Sequence, residues 1–111
     1  MAKKAELLQG TLDLLVLKAL QLGDLHGWGI TDRIRSTSGD VLQVNQGSLY
    51  PSLYRLKRER MIRSEWRVTE NNRKARYYAL TDKGRRALNT ELEQWERLSG
   101  AVNRVIQTVS V

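Results

Sequence analysis

The chain has 111 residues, a net charge of +7 and no cysteine, a length that suits one domain with a modest core. Without thiols there is no disulfide framework and no thiolate metal site, and no apolar run approaches the roughly 18 residues of a membrane span. One histidine and no clustered carboxylates leave little for acid–base or metal catalysis, so an enzyme is the weakest reading, and no cofactor or metal is expected.

The first eleven residues, MAKKAELLQGT, lack the apolar stretch and small-residue cleavage site of a signal peptide. With the lack of cysteine this leads to the expectation of a cytoplasmic protein. A first helix is predicted from Leu7 to Leu22, with Thr11 as N-cap and Asp13 in its first turn. Its apolar positions Leu8, Leu12, Leu15, Ala19 and Leu22 follow helical spacing, and Leu14 and Leu17 widen the face. Gly23 ends it. DLHGWG, from Asp24 to Gly29, reads as a glycine-punctuated turn. A second helix follows from about Gly27 to Thr37, with Ile30 and Ile34 inward, and Ser38, Gly39 and Asp40 break it. Residues 41–44 are expected to be short and extended.

The third helix is the most informative segment. QGSLYPSLYRLKRERMI, from Gln46 to Ile62, carries Leu49, Leu53 and Leu56 on one side, with Arg55, Lys57, Arg58, Arg60 and Arg63 crowded around its second half. Either Asn45 or Ser48 caps it. Pro51 falls in the first turn if Ser48 is the cap and inside the helix if Asn45 is; a start near Gln46 with a mild bend is the preferred choice. From Ile62 the period becomes two. Ile62, Ser64, Trp66 and Val68 alternate with Arg63, Glu65 and Arg67, which is a strand. ENNRK supplies a turn whose asparagines tolerate left-handed geometry, and Ala75 to Leu80 is a second strand. Thr81 and Asp82 open a last helix reaching about Thr108. Leu88, Leu92, Trp95, Val102, Ile106 and Val109 recur on a heptad seam with Ser99 in the gap. The cheapest surface to cover such a seam is the same helix of a second copy.

The positive charge is local. Residues 55–86 hold twelve Lys/Arg against four Asp/Glu, while the remainder is slightly acidic. That is the footprint of a polyanion binder. A membrane surface is disfavoured, because the basic segment is not one amphipathic helix with an aromatic face. Three helices followed by a basic hairpin give the fold class: mainly α with a small β-hairpin, a winged helix-turn-helix over residues 1–80, and a long C-terminal dimerisation helix over 81–111. In such a fold the third helix enters the major groove of double-stranded DNA while the wing lies over backbone or minor groove.

Four blocks sharpen this: LLQGTLDLLVLKAL (Leu7–Leu20), LHGWGI (Leu25–Ile30), QGSLYPSLYRLKRERMI (Gln46–Ile62) and ARYYALTDKGRRAL (Ala75–Leu88). Together they resemble the PadR-like bacterial transcriptional regulators over nearly the whole chain. The resemblance implies a homodimeric repressor of the short subclass, with one C-terminal dimerisation helix and, in many members, release from DNA on binding a small aromatic or lipophilic effector. One departure is Arg60, where the family usually has glycine. A left-handed residue there would cost arginine on the order of 1 kcal/mol, so either the helix ends differently here or the arginine is tolerated for its charge.

The DNA-contact candidates are Gln46, Ser48, Tyr50, Pro51, Tyr54, Arg55, Lys57 and Arg58 on the third helix, with Arg73, Lys74 and Arg76 as a phosphate clamp on the wing. The plainer alternative is a solvated amphipathic helix with one tyrosine in the core. The dimer candidates are Leu88, Leu92, Trp95, Val102, Ile106 and Val109. By resemblance, Trp95 can instead line a pore between protomers and stack on a flat effector, with Leu92, Ser99, Leu12 and Leu15 as neighbours. His26 is read as a cap or turn residue, and Trp28 and Trp66 as packing residues. A winged-helix protein-interaction module that does not read DNA sequence is the competing reading.

Overall fold

The computed structural model describes residues 9–109. The expected start of the first helix at Leu7 and Leu8 lies outside them. Helix α1 (Gln9–Gln21) is followed by a two-residue strand β1 (Leu25–His26), helices α2 (Gly27–Thr37) and α3 (Gln46–Arg58), strands β2 (Ile62–Val68) and β3 (Lys74–Leu80), and the 25-residue helix α4 (Asp82–Ile106). Four helices and a three-stranded antiparallel sheet of order β1-β3-β2 make up the expected winged helix.

Helix α1 is the hub. Leu12, Leu14, Val16, Leu17, Ala19 and Leu20 are buried on it, and it packs against α2, α3, α4 and β3. Apolar side chains on more than one face are what a helix needs to serve several neighbours. Thr11 does not cap it, because the helix already runs through Gln9 and Gly10, and Asp13 consequently lies in the second turn. There the Asp13 carboxylate meets α3. Its Oδ1 accepts from Ser52 Oγ at 2.5 Å and from Arg55 Nη2 at 2.9 Å. Ser52 is wholly buried, and the Asp13–Arg55 pair is about three-quarters shielded from water.

Helix α3 starts at Asn45, whose side chain accepts the Ser48 amide at 2.8 Å. Pro51 therefore sits in the second turn, where its missing N–H removes one helical bond. Leu49, Leu53 and Leu56 are buried as their spacing predicts. The helix ends in a Schellman turn. The Met61 amide donates to the Leu56 carbonyl (2.9 Å), the Arg60 amide donates to the Lys57 carbonyl (3.0 Å), and Arg60 takes φ +64°. The helix thus does not end differently; the arginine adopts the left-handed conformation that glycine favours.

That turn is also where α4 docks. The Met61 carbonyl accepts the Thr81 amide at 3.1 Å. Thr81 Oγ1 caps α4 by accepting from the Gly84 amide and donates to the Arg60 carbonyl. Gly84 is required: a Cβ there would stand 1.9 Å from the Met61 oxygen. The hairpin register pairs Ile62 with Leu80, Ser64 with Tyr78, Trp66 with Arg76 and Val68 with Lys74, so these eight share one face. Asn72 takes φ +58° in the turn, as the asparagines suggested.

Other expectations need correction. Leu25 and His26, expected in a turn, instead form strand β1, which adds to the far side of β3 with Leu25 opposite Tyr78 and His26 opposite Tyr77. Residues 41–44 form a short connection without helix or ladder, and Leu42 and Val44 pack on the core. Trp28 and Trp66 are not packing residues, being 72% and 64% exposed. Leu88 is wholly buried within its own chain and offers no surface to another. Leu12 belongs to the same core, with Leu15 half-buried beside it.

Two substitutions test this framework by urea unfolding. Arg60→Gly relieves about 1–2 kcal/mol of left-handed strain against an entropy cost of about 0.5–1 kcal/mol, so it should be more stable than Arg60→Ala, which keeps the Cβ. Asp13→Ala leaves the Ser52 hydroxyl and the Arg55 guanidinium without their acceptor and should cost about 1–3 kcal/mol.

Candidate nucleic-acid interface

With the leucines of α3 turned toward α1, the opposite face is open. Ser48, Tyr50, Pro51, Tyr54, Lys57 and Arg58 are all exposed. The Arg58 guanidinium lies 5.8 Å over the Tyr54 ring, one turn back, and that contact restrains a long side chain before any ligand arrives. Gln46 is half-buried, and its Oε1 is enclosed without a hydrogen-bond partner among the described residues. Arg55 departs from expectation. It faces Asp13 of α1, so its role is to fix α3 in place, and its neighbour three residues on, Arg58, presents the charge.

Beside this face stands the hairpin. Arg73 and Lys74 are exposed at its tip end. Arg76 is half-buried, with its Nε donating to Ser64 Oγ at 3.0 Å and its guanidinium 5.5 Å over the Trp66 ring. These three and Lys57 and Arg58 have no acidic partner within salt-bridge distance among the described residues. The other hairpin face is different. Arg67 pairs with Asp24 and Glu65 and lies over the Tyr77 ring. Its hydrogen bonds to Glu65 and Asp24 hold its pKa above the ordinary arginine value. The basic segment therefore splits into cations paired with acids and cations without such partners among the described residues; of the latter, Arg73, Lys74 and Arg76 lie on the α3 side of the wing, whereas Arg63 shares the opposite strand face with Arg67.

Elements around α3 hold this surface in shape. His26 Nδ1 accepts the Gly29 amide at 3.1 Å, capping α2 as its sequence position suggested. A Cβ on Gly27 would come within 3.1 Å of the Tyr50 hydroxyl, so the start of α2 and the N-terminal half of α3 are in close approach. Burial first, and then the Tyr50 phenol, raise the pKa of Tyr78, with Arg76 opposing. No cluster of three His, Asp or Glu among the described residues could hold a metal ion, and no helix there is long and apolar enough to cross a membrane.

The candidates on α4 divide along the helix. Leu92 is half-buried against the core, whereas Trp95, Val102 and Ile106 are exposed, as are Leu98 and Val105 outside the heptad positions; Val109 is exposed too but lies past the helix end at Ile106. Leu98 and Val105 widen the seam on one side, as their helical angles relative to Trp95 and Val102 dictate. The Ser99 hydroxyl donates to the Trp95 carbonyl at 2.7 Å, which satisfies it within the helix.

The profile described as "Transcriptional regulator PadR-like family" matches residues 16–90. A transcriptional regulator of Mycobacterium tuberculosis is 34% identical over 71% of this chain and 70% of its own length. A PadR-like transcriptional regulator from Bacillus cereus superposes with a TM-score of 0.80 at 26% identity, covering 95% of this chain and 100% of that one. A transcriptional regulator from Clostridium thermocellum superposes with a TM-score of 0.81 at 25% identity, covering 89% and 93%. The fold, the open basic face beside α3 and these similarities agree: the chain belongs to the PadR-like family of transcriptional regulators.

Proposed function

We propose that the protein is a homodimeric, sequence-specific repressor that binds an inverted-repeat operator. The observation that carries this is the uncovered face of α3, where Tyr54 and Arg58 stack beside unpaired cations of the hairpin. In this reading α3 enters the major groove, Arg58 reaches a base edge or the adjacent phosphate, and Arg73, Lys74 and Arg76 hold the backbone beside the wing. The exposed apolar stripe of α4, from Trp95 to Ile106, supports pairing with a second copy. Two recognition helices would then address half-sites about 10 bp apart.

Control by a small aromatic or lipophilic effector is part of the same reading. Trp95 is 45% exposed at the end of the buried part of α4, so a flat molecule held between two such indoles would bear on the angle of the paired helices and hence on the spacing of the two α3 helices. Leu92 and Leu15, half-buried near the core, are the remaining apolar candidates for its walls, with Ser99 one turn beyond Trp95.

Fluorescence anisotropy with the promoter fragment upstream of the protein's own gene, against unrelated DNA, tests the proposal. Preference for the promoter with a steep salt dependence is expected; equal weak binding to both would favour a protein-interaction module. Arg58→Ala should cost about 1–3 kcal/mol of operator affinity and relax sequence preference, whereas Arg73→Ala should weaken all DNA alike and reduce the salt slope by about 1. Introducing aspartate at Val102 and Ile106 together should convert a dimer to a monomer in sedimentation equilibrium. Unchanged operator affinity on titration with aromatic compounds would remove the effector from the reading.

A further inference from the structure

Two of the three tryptophans stand exposed on either side of one cleft. Trp28, in the first turn of α2, and Tyr50, in α3, form one wall; Trp66 and Arg76 on the inner hairpin face, with Arg73 and Lys74 toward the tip, form the other. The cleft encloses about 650 Å³, and no acidic side chain lines it. Neither indole serves the core. Trp66 shares its strand face with Ile62 and Ser64, but Ile62 is buried at the root of the hairpin whereas Trp66 lies beyond the core's reach. Trp28 is carried outward next to Gly27, the residue whose missing side chain lets α2 touch Tyr50.

We infer that this cleft is the channel for one sugar–phosphate strand of DNA, with Trp28 and Trp66 as direct contacts to deoxyribose. The inference rests on the DNA-binding reading above and deepens it. Major and minor grooves are separated by a backbone strand. If α3 lies in one groove and the hairpin reaches the next, the dividing strand must pass between them. Its phosphates need cations, and Arg73, Lys74 and Arg76 are the ones without acidic partners in the cleft. Between phosphates the strand presents the C–H surface of its sugars, which an indole covers better than a charged group. Arg76 is held for the task, since Ser64 and the Trp66 ring fix its guanidinium and leave its terminal nitrogens without a partner among the described residues. The indoles add contact area without neutralising charge, so they contribute affinity that salt does not screen.

That separation defines the test. Trp28→Ala and Trp66→Ala, singly and combined, are titrated with the operator at several salt concentrations, and thermal unfolding verifies that the exposed substitutions leave the fold intact. Each should weaken binding by about fivefold with the slope of log affinity against log salt unchanged, while Arg76→Ala should lower that slope by about 1. Hydroxyl radicals attack deoxyribose directly, so their footprint reads the contact itself. The wild type should protect a short run of sugars beside each α3 half-site, and the double tryptophan variant, at saturation, should lose that protection. Wild-type affinity in the variants, or an unchanged footprint, would overturn the channel. A wild-type protein that does not distinguish the operator from unrelated DNA would instead bring down the DNA-binding reading and the channel with it.

Discussion

The carboxylate of Asp13 decides which way α3 faces. A row of leucines can bury itself against α1 through a range of rolls about the α3 axis, because apolar contact has little directionality. Hydrogen bonds to an ionised acceptor are directional and short. Asp13 Oδ1 receives two of them from residues three apart on α3, Ser52 and Arg55, which lie on one helix face. With Leu49, Leu53 and Leu56 behind them, the roll is fixed and the Tyr50, Tyr54 and Arg58 face is left to the outside. A segment crowded with arginine thus uses one of them inward to aim the others outward.

The second constraint is the short passage from α3 to the hairpin. Arg60 in its left-handed conformation closes the Schellman turn, reverses the chain into β2, and leaves the Met61 carbonyl bonded to Thr81 and facing Gly84. One turn therefore connects three parts: the end of α3, the root of the wing and the start of α4. Any movement of α4 about its N-terminal end bears on α3 and on the hairpin together, which gives a physical route from α4 to the exposed α3 face.

Much of the fold was legible because periods are physical. The change from helical spacing through Leu56 to alternation from Ile62 located the hairpin to within a residue, and Thr81 announced α4 through its hydroxyl. Strand β1 was not legible, since two residues carry no period and Leu25 and His26 pair with β3 only through tertiary contact. Charge counting identified the basic segment but could not say which cations were already paired; Arg55 and Arg67 find acids 42 and 43 residues away in sequence. The two exposed tryptophans were misread for the same reason. Composition says that an indole belongs inside, and only the positions of Gly27 and of the hairpin root show that these two cannot reach the core. Leu88 fits the heptad seam, but the helix spends about its first three turns against its own domain, through Leu92, before the free stripe begins.

The architecture thus gives α3 an aimed, uncovered face and surrounds it with cations that no acid in the described residues neutralises. Methylation interference on the operator probes that arrangement most directly, because guanine N7 lies in the major groove and adenine N3 in the minor groove. Two blocks of guanines whose N7 methylation abolishes binding, centred about 10 bp apart, are the predicted result. Binding indifferent to methylation at every guanine, or blocked only through adenine N3, would contradict a recognition helix in the major groove.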